Sequence, residues 1–202
     1  MPGQKAGEAE RRAQILAAAY EIAASDGLAR LTVRRVAAEA GLSHGLVHFH
    51  FRTKAELLLA LLDWVLERTP EYTLAPAARR MEGPVARLLA LLRQEISRLT
   101  SDRRRVHLFF DFWLIGTRHP GIRSRMLAEF ARRRDAFRPM LEELRRAEPD
   151  RLRGITVDAM AAALVALIKG AAVQAVLDPR ALDTDAFLAA IDALLPQLES
   201  AA

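Results

Sequence analysis

Apolar residues recur every three to four positions over most of this chain, a spacing that places them along one face of an α-helix. No run alternates apolar and polar residues as a strand does, and the helix-favouring residues Ala, Leu, Arg and Glu dominate. The sequence therefore predicts an all-α protein. Glycine, proline and capping residues separate the predicted helices, which cover approximately residues 10–25, 32–40, 43–49, 53–65, 85–100, 102–117, 121–147, 157–177 and 183–199.

The second and third predicted helices are short and are separated by the turn Gly41-Leu42-Ser43. Thr32 and Ser43 are suitable N-cap residues for these two helices. Gly41 permits the positive φ of a tight turn, and Leu42 can pack between the helices. This pattern predicts a helix-turn-helix whose second helix enters the major groove of DNA with its first turn.

The fourth predicted helix begins with a capping box, Thr53-Lys54-Ala55-Glu56. Lys54 places a cation beside the free amide groups of this helix N-terminus, which is a favourable arrangement for binding phosphate. The helix continues with an apolar stripe of Leu57, Leu58, Leu61, Leu62 and Val65.

The run from Leu31 to Leu57, LTVRRVAAEAGLSHGLVHFHFRTKAEL, resembles the TetR family of bacterial one-component repressors. The stretch around Phe109–Pro120 is similar to the subgroup typified by the choline-responsive repressor. The resemblance implies an N-terminal three-helix helix-turn-helix domain, residues 1–53, and a larger helical effector-binding and dimerisation domain, residues 54–202.

The resemblance also implies which residues contact DNA. Five positions of the third helix face the groove, while Val47, His50 and Phe51 face the core. Arg34 reaches a base or a phosphate, and its guanidinium can bind guanine through two hydrogen bonds. Gly45 lets the backbone approach the DNA closely. The predicted DNA-binding residues are Thr32, Arg34, Ser43, His44, Gly45, Leu46, His48, Phe49 and Lys54.

This chain departs from the family pattern in the third helix. Histidine stands at positions 48 and 50, where the family usually has tyrosine, and Leu46 stands where it often has a small hydroxyl residue. His44 and His48 share one helix face, which is compatible with metal binding, but no carboxylate in this helix completes a site. We therefore predict DNA contacts for His44 and His48, with no metal and no cofactor.

The charge of the chain favours a polyanionic partner. Thirty Lys and Arg against 25 Asp and Glu give +5, and residues 1–54 carry +3 of it, from eight basic and five acidic residues. A solvated face is the alternative for Arg34 and Arg35. Arg103–Arg105 and Arg132–Arg134 are interpreted as solvated helix surface rather than a second nucleic-acid site. The lack of cysteine excludes disulfide scaffolds and thiolate metal sites.

Four of the ten Phe and Trp residues lie within five positions, at Phe109, Phe110, Phe112 and Trp113, and Asp111 interrupts them. In the family this larger domain encloses a small-molecule pocket, and ligand binding reorients the DNA-reading helices. An aromatic cluster with one acid suits a cationic or flat aromatic ligand. The predicted effector-binding residues are Trp64, Phe109, Asp111, Phe112 and Trp113; ordinary core packing is the alternative.

The two C-terminal helices, residues 157–177 and 183–199, present a wide apolar surface, and Gly170 allows close approach of another helix. We predict that they form a homodimer through a four-helix bundle, which brings two recognition helices to two half-sites of a palindromic operator. Lys169 near the centre of the apolar helix argues against a membrane span. The first residues are polar and unlike a signal peptide, so we predict a cytoplasmic protein.

The sequence contains no paired-carboxylate, Ser/His/Asp or glycine-rich phosphate signature, so we predict that the protein is not an enzyme. The resulting hypothesis is a DNA-binding transcription regulator, a repressor that a small-molecule effector releases from its operator. The alternative is a helical interaction protein without DNA-binding activity.

Overall fold

The computed structural model of this chain describes residues 2–178, 180 and 182–197, and these residues form helices but no strand. The all-α prediction is confirmed. The helices are α1 (Pro2–Asp26), α2 (Val33–Glu39), α3 (His44–His50), α4 (Lys54–Glu67), α5 (Pro76–Arg79), α6 (Pro84–Ser101), α7 (Arg103–Gly116), α8 (Pro120–Ala147), α9 (Val157–Leu177) and α10 (Thr184–Gln197), with 3₁₀ turns at Leu28–Arg30 and Pro149–Leu152.

Most helix boundaries agree with the sequence prediction to within two residues. α1 begins at Pro2 rather than near residue 10, because residues 8–14 are exposed and have no apolar periodicity to reveal them. The short helix α5 was not predicted, since its four residues are too few to show a period. The end predicted for the last helix, at Glu199, lies outside the described residues.

The chain divides into two compact units, residues 1–70 with 104–127 and residues 71–103 with 128–202. The predicted boundary between residues 53 and 54 does not follow this division. α4 packs against α1 and buries Leu57, Leu61 and Val65, so it belongs with the helix-turn-helix, and α7 joins the same unit. The sequence-based domain boundary stays a prediction.

The core of the first unit is built on one face of α1, where Ile15, Leu16, Ala19, Ile22 and Ala23 are buried as the sequence predicts. α2 adds Val36 and Ala37, and α3 adds Val47. Two polar contacts fasten α1 to this motif: Gln14 Nε2 donates to the Ala40 carbonyl at 2.8 Å, and the Arg12 guanidinium lies 4.4 Å from the Phe51 ring centroid. α1 thus packs against the helix-turn-helix and leaves the outer face of α3 exposed.

The core of the second unit forms where α6 and α9 pack together, with apolar residues from α8 and α10 completing it. α9 is the only described helix long and apolar enough to cross a membrane. Nine of its 21 residues are buried, which agrees with its interpretation as a core helix.

One charge prediction is wrong for this unit. Arg133 is 4% exposed, whereas Arg132 has 60% of its side chain exposed, so the run Arg132–Arg134 is not a uniformly solvated surface. Successive helix positions differ by about 100°, which places neighbouring arginines on different faces.

Candidate nucleic-acid interface

Side-chain caps define the two helices of the helix-turn-helix. Thr32 Oγ1 accepts a hydrogen bond from the Arg35 amide at 3.2 Å, and Ser43 Oγ accepts one from the Leu46 amide at 3.2 Å. Gly41 has φ 63°, and the Leu42 amide donates to the Ala37 carbonyl at 2.9 Å. The predicted caps and turn are confirmed, and together they place α3 after α2 with its first turn exposed.

The start of α4 is also capped as predicted. Thr53 Oγ1 accepts from the Glu56 amide at 3.1 Å. The Glu56 carboxylate reaches back to the Arg52 amide at 2.8 Å, one residue earlier than in the usual capping box. Lys54 is exposed at this helix N-terminus, where free amides and the helix dipole favour an anion.

The surface of α3 carries its polar and aromatic residues outward. Val47 is fully buried and anchors the helix, and Phe51 directly after it is 1% exposed. His50 is only partly buried, although the resemblance assigned it to the core. Phe49 is 72% exposed, which is unusual for a large apolar side chain. The nine predicted DNA-binding residues are all exposed except Leu46, which is partly buried: Thr32, Arg34, Ser43, His44, Gly45, Leu46, His48, Phe49 and Lys54.

The neighbouring arginines of α2 differ in their contacts. Arg35 pairs with Asp26 at 2.5 Å and also donates to the Arg30 carbonyl at 3.5 Å. Arg34 is exposed, and its side chain makes no hydrogen bond or ion pair with the residues that the structure describes. Arg35 therefore braces the turn before α2, whereas Arg34 remains available for a partner.

The side chains of the three histidines of α3 do not converge on a common site. The His44 and His48 rings are 6.3 Å apart, and His50 packs edge-on against Phe49 with 5.4 Å between the centroids. Within the described part of the chain, no group of three or more His, Asp or Glu residues is placed to hold a metal ion.

α7 contacts the turn that leads into α2, a contact that sequence reasoning missed. Asp111 Oδ2 accepts a hydrogen bond from the Leu28 amide at 3.2 Å. Gly27, with φ 82°, comes so close that a Cβ there would lie 3.5 Å from the same oxygen. Arg104 adds hydrogen bonds to Glu21 and Ser25 at 2.9 and 2.7 Å. These contacts hold the turn at residues 26–30 against α7.

α4 is fastened to the beginning of α8 by a bidentate ion pair. Arg125 donates to both carboxylate oxygens of Asp63, at 2.6 and 3.0 Å. The hydrogen bonds to Asp63 raise the pKa of Arg125. Planar pairs of this type restrict orientation more than a single contact does.

The five residues predicted to bind an effector occupy different environments. Trp64 packs 5.4 Å from Tyr20, and its Nε1 is buried with no hydrogen-bond partner among the described residues. Phe112 is fully buried, and Trp113 is 50% exposed. Asp111 is bonded to Leu28, and Phe109 is partly buried with its ring 5.7 Å from that of Phe110.

A groove of about 870 Å³ lies elsewhere, between α5, α6 and α10 in the second unit. None of the five predicted effector-binding residues lines it. Their assignment to an effector site stays a prediction.

A stripe of α9 opposite the core is exposed and mostly apolar, with residues Ala159, Ala162, Ala163, Ala166, Gly170, Val173 and Leu177. A Cβ added to Gly170 would meet no atom within 4 Å. The predicted dimer helix therefore has a smooth apolar face of small side chains outside the core of its own unit.

Comparisons with known proteins match both parts of the chain. The family model "Bacterial regulatory proteins, tetR family" matches residues 15–61, and the family model "BetI-type transcriptional repressor, C-terminal" matches residues 84–198. The HTH-type transcriptional regulator TtgR of Pseudomonas putida is 36% identical over 95 residues, which cover 47% of this chain and 45% of that protein. The match thus spans about half the length of this curated relative.

Two solved structures show the same fold. A protein from Pseudomonas aeruginosa PAO1 described as a transcriptional regulator superposes with a TM-score of 0.71 at 23% identity, covering 95% of this chain and 91% of that one. A protein from Saccharomonospora viridis, solved in complex with choline, superposes with a TM-score of 0.68 at 21% identity, covering 93% and 96%. At these identities the likeness concerns the fold alone.

Proposed function

This chain belongs to the TetR family of bacterial regulatory proteins, and from that premise we propose that it is a sequence-specific DNA-binding repressor released from its operator by a small-molecule effector. The observation that carries the proposal is the exposed surface of α3, which has a capped N-terminus and a buried anchor at Val47. A helix presented in this way fits the major groove with its first turns.

The contacts on DNA follow from the exposed groups. Lys54 and the free amides beside it bind a phosphate, and Thr32 at the start of α2 binds another. Arg34, which no neighbouring side chain engages, reads a guanine edge through two hydrogen bonds. His44 and His48 donate to bases or phosphates, and Phe49 packs on a thymine methyl group.

The active species in this proposal is a homodimer formed through helices 157–177 and 183–199. The exposed apolar stripe of α9 and the open space at Gly170 support it. Two copies place two α3 helices about one DNA turn apart, so the operator is expected to be palindromic. The protein acts in the cytoplasm and catalyses no reaction.

Release by an effector requires that the effector bind two conformations with different affinity. The contact of Asp111 with the turn before α2 supports a route by which α7 biases the position of the recognition helix. A small molecule that binds tightly and leaves operator affinity unchanged contradicts this part of the proposal.

The decisive experiment is selection of bound DNA fragments from the source genome with the purified full chain. Enrichment of a palindromic sequence is expected. The variant Arg34→Met/Lys54→Met is then compared with wild type on the selected site, and we expect a loss of roughly 100-fold, from about tenfold or more for each lost contact.

Arg146→Met is the matched control, since Arg146 is exposed on α8 and, among the described residues, bonds only to the Glu142 carbonyl. It should bind DNA like wild type. Absence of any enriched fragment would favour the alternative of a helical interaction protein. An unchanged affinity of the double variant would contradict the DNA contacts proposed for Arg34 and Lys54.

A further inference from the structure

The interior of the second unit contains charged side chains that the DNA-binding role does not use. Glu95 on α6 is 1% exposed, and Glu129 and Arg133 on α8 are 3% and 4% exposed. Arg98 on α6 and Lys169 on α9 are partly buried beside them. We refer to these five residues together with Tyr72 as the interior charge cluster.

Each buried carboxylate of the cluster has an arginine from its own helix. Arg98 Nε donates to Glu95 Oε2 at 2.9 Å, and Arg133 Nε donates to Glu129 Oε1 at 2.5 Å. Arg132 adds a second bond to Glu129 at 2.6 Å, from the surface side. The two acids are therefore already compensated, as buried carboxylates must be.

The cluster as a whole carries an excess of positive charge. Its two carboxylates face three cations, Arg98, Arg133 and Lys169. Burial and then the neighbouring Arg133 lower the pKa of Lys169 to about 8, against a partial offset from Glu129. Burial of the ammonium group is the largest cause of this lowered pKa, and a buried charge is stabilised by an anion beside it.

Tyr72 contributes a polar group without a protein partner. The residue is 4% exposed, and its hydroxyl oxygen is buried with no hydrogen bond to any of the described residues. Arg133 lies 4.4 Å from its ring centroid and Arg98 lies 5.9 Å from it, so the ring sits among the cations of the cluster. A buried hydroxyl without a partner is uncommon and marks a place where a further polar group can bind.

We propose that the interior charge cluster binds the carboxylate of a small organic anion with an apolar body. The Tyr72 hydroxyl donates a hydrogen bond to the carboxylate, and the ammonium group of Lys169 supplies the compensating charge. The apolar body is accommodated by the leucine, isoleucine and methionine side chains of the same core, of which the two buried methionines, Met140 and Met160, repack most readily. The inference rests on the proposed function, since the anion would be the effector.

A groove lies beside the cluster. Gln94 lines the groove of about 870 Å³, and its Nε2 also donates to Glu95 at 3.2 Å and to the Thr73 carbonyl at 2.7 Å. Gln94 therefore contacts both the groove and the cluster. Gln94 also holds the segment that carries Tyr72, because its Oε1 accepts from the Ala75 amide at 3.0 Å.

The same contacts disfavour a cationic ligand at this place. The aromatic face of Tyr72 that would hold a quaternary ammonium group already holds the Arg133 guanidinium. A cation would also add to the positive excess. The aromatic residues at 109–113 form a weaker site, because Phe112 is fully buried and the Asp111 carboxylate is bonded to Leu28.

Three probes with the same hexyl body test the charge preference on the full chain: heptanoate, 1-hexanol and hexyltrimethylammonium, titrated by calorimetry at pH 7; hexanoate, one carbon shorter, is the anion used with the variants below. Heptanoate should bind about tenfold more tightly than either of the others, since one charge-assisted hydrogen bond distinguishes it. Equal or tighter binding of the alcohol or the ammonium ion overturns the proposal, as does an absence of heptanoate binding.

Two substitutions test the residues. Tyr72→Phe removes only the hydroxyl and should weaken hexanoate binding about tenfold while leaving the melting temperature equal or higher. Lys169→Met should weaken it by at least as much. Hexanoate affinity that is unchanged in both variants shows that the cluster is purely structural and overturns the site.

The pH dependence of wild-type affinity is an independent readout. Lys169 is faced by Glu95 and Arg98 from α6 and by Glu129 and Arg133 from α8. If its charged form binds the anion, affinity should fall about tenfold between pH 7 and pH 9, as the ammonium group near pKa 8 loses its proton. A flat profile contradicts the role of Lys169.

Lys54→Met separates this inference from the proposed function. It should lose operator affinity and bind hexanoate like wild type, whereas Lys169→Met should do the reverse. Hexanoate binding that leaves operator affinity unchanged supports the anion site and overturns its role as the effector site. Operator binding without hexanoate binding overturns the site and leaves the repressor proposal standing.

Discussion

The helix-turn-helix surface and the interior charge cluster both contain charged side chains, but these are exposed in the first region and buried in the second. On the first, Arg34 and Lys54 are exposed and no described residue engages Arg34. In the second, Arg133 and Glu129 are almost completely buried and bonded to each other. Exposed cations cost little to maintain and serve an external polyanion, whereas buried ones require compensating partners within the protein.

This difference in exposure predicts that the two regions affect different quantities, the affinity for DNA and the free energy of unfolding. Changes on the exposed surface should alter DNA binding and leave the free energy of unfolding nearly unchanged. Changes in the cluster should alter the free energy of unfolding first. The following predictions test that separation, beginning with the largest effect.

Removing the buried arginine should have the largest consequence. Arg133→Met leaves the buried Glu129 carboxylate with Arg132, from the surface side, as its hydrogen-bond donor among the described side chains, and breaking a buried pair costs about 3–5 kcal/mol. Arg132→Met, at an exposed position, should cost less than about 1 kcal/mol. Urea unfolding of both variants measures the contrast. Similar losses for the two arginines would show that burial does not distinguish them.

Lys169→Met should stabilise the protein at neutral pH. In the folded state the pKa of Lys169 is lowered from 10.5 to about 8, so the folded protein binds fewer protons than the unfolded chain between these pH values. The charged ammonium group therefore destabilises the wild type below pH 8, and this penalty disappears as pH rises towards 10.5. We expect the variant to be more stable by about 3 kcal/mol at pH 7, because each pKa unit between 10.5 and about 8 corresponds to about 1.4 kcal/mol.

The measurement is urea unfolding of wild type and Lys169→Met at pH 7 and pH 9.5. The advantage of the variant should shrink at the higher pH, and other titrating groups cancel because both proteins contain them. A difference that stays constant with pH contradicts the lowered pKa.

Substitutions of the neighbouring arginines of α2 should have different effects, one on operator affinity and the other on stability. Arg34→Met should weaken operator binding about tenfold, or about 1.4 kcal/mol, at constant unfolding free energy. Arg35→Met loses its pair with Asp26, both side chains being partly exposed, and should cost less than about 1 kcal/mol of stability. Fluorescence anisotropy on the selected operator and urea unfolding distinguish the two. An equal loss of operator affinity in both variants would contradict the different roles of Arg34 and Arg35.

An effect smaller than that of Arg34→Met on binding is expected at the cap of the recognition helix. Ser43→Ala removes the acceptor of the Leu46 amide and should cost about 1 kcal/mol of stability, the usual contribution of an N-cap. Ser124→Ala, at an exposed position within α8, is the control and should change the melting temperature little. If both serines behave alike in thermal unfolding, the cap at Ser43 is not stabilising α3.

Much of the first unit could be predicted because its signals are local. Thr32, Ser43 and Thr53 cap helices that begin at the next residue, and Gly41 provides the turn, so a few adjacent residues contain the information. The buried face of α1 follows from apolar spacing alone. The family resemblance then assigned exposed positions of α3 to DNA.

The interior charge cluster could not be predicted in this way. Arg132, Arg133 and Arg134 look alike in sequence, and only the helix phase within the folded unit decides that Arg133 points inward. The effector role of Asp111 stays a prediction, and no sequence pattern indicated that its carboxylate bonds to an amide 83 residues earlier in the chain. Neither the burial of Arg133 nor the hydrogen bond of Asp111 can be recognised from the residues next to them in the sequence.

The sequence by itself determined the all-α class and the capped helix-turn-helix, because caps, glycine turns and apolar periodicity act between residues close together in the chain. The resemblance of residues 31–57 to a regulator family added the expectation of DNA binding. Only the tertiary structure decided which charged residues are buried and which partner each one meets. Burial changes the free energy of a charge far more than its identity does. The positive excess of the chain is therefore divided by the fold into cations that face solvent and cations that require an anion inside.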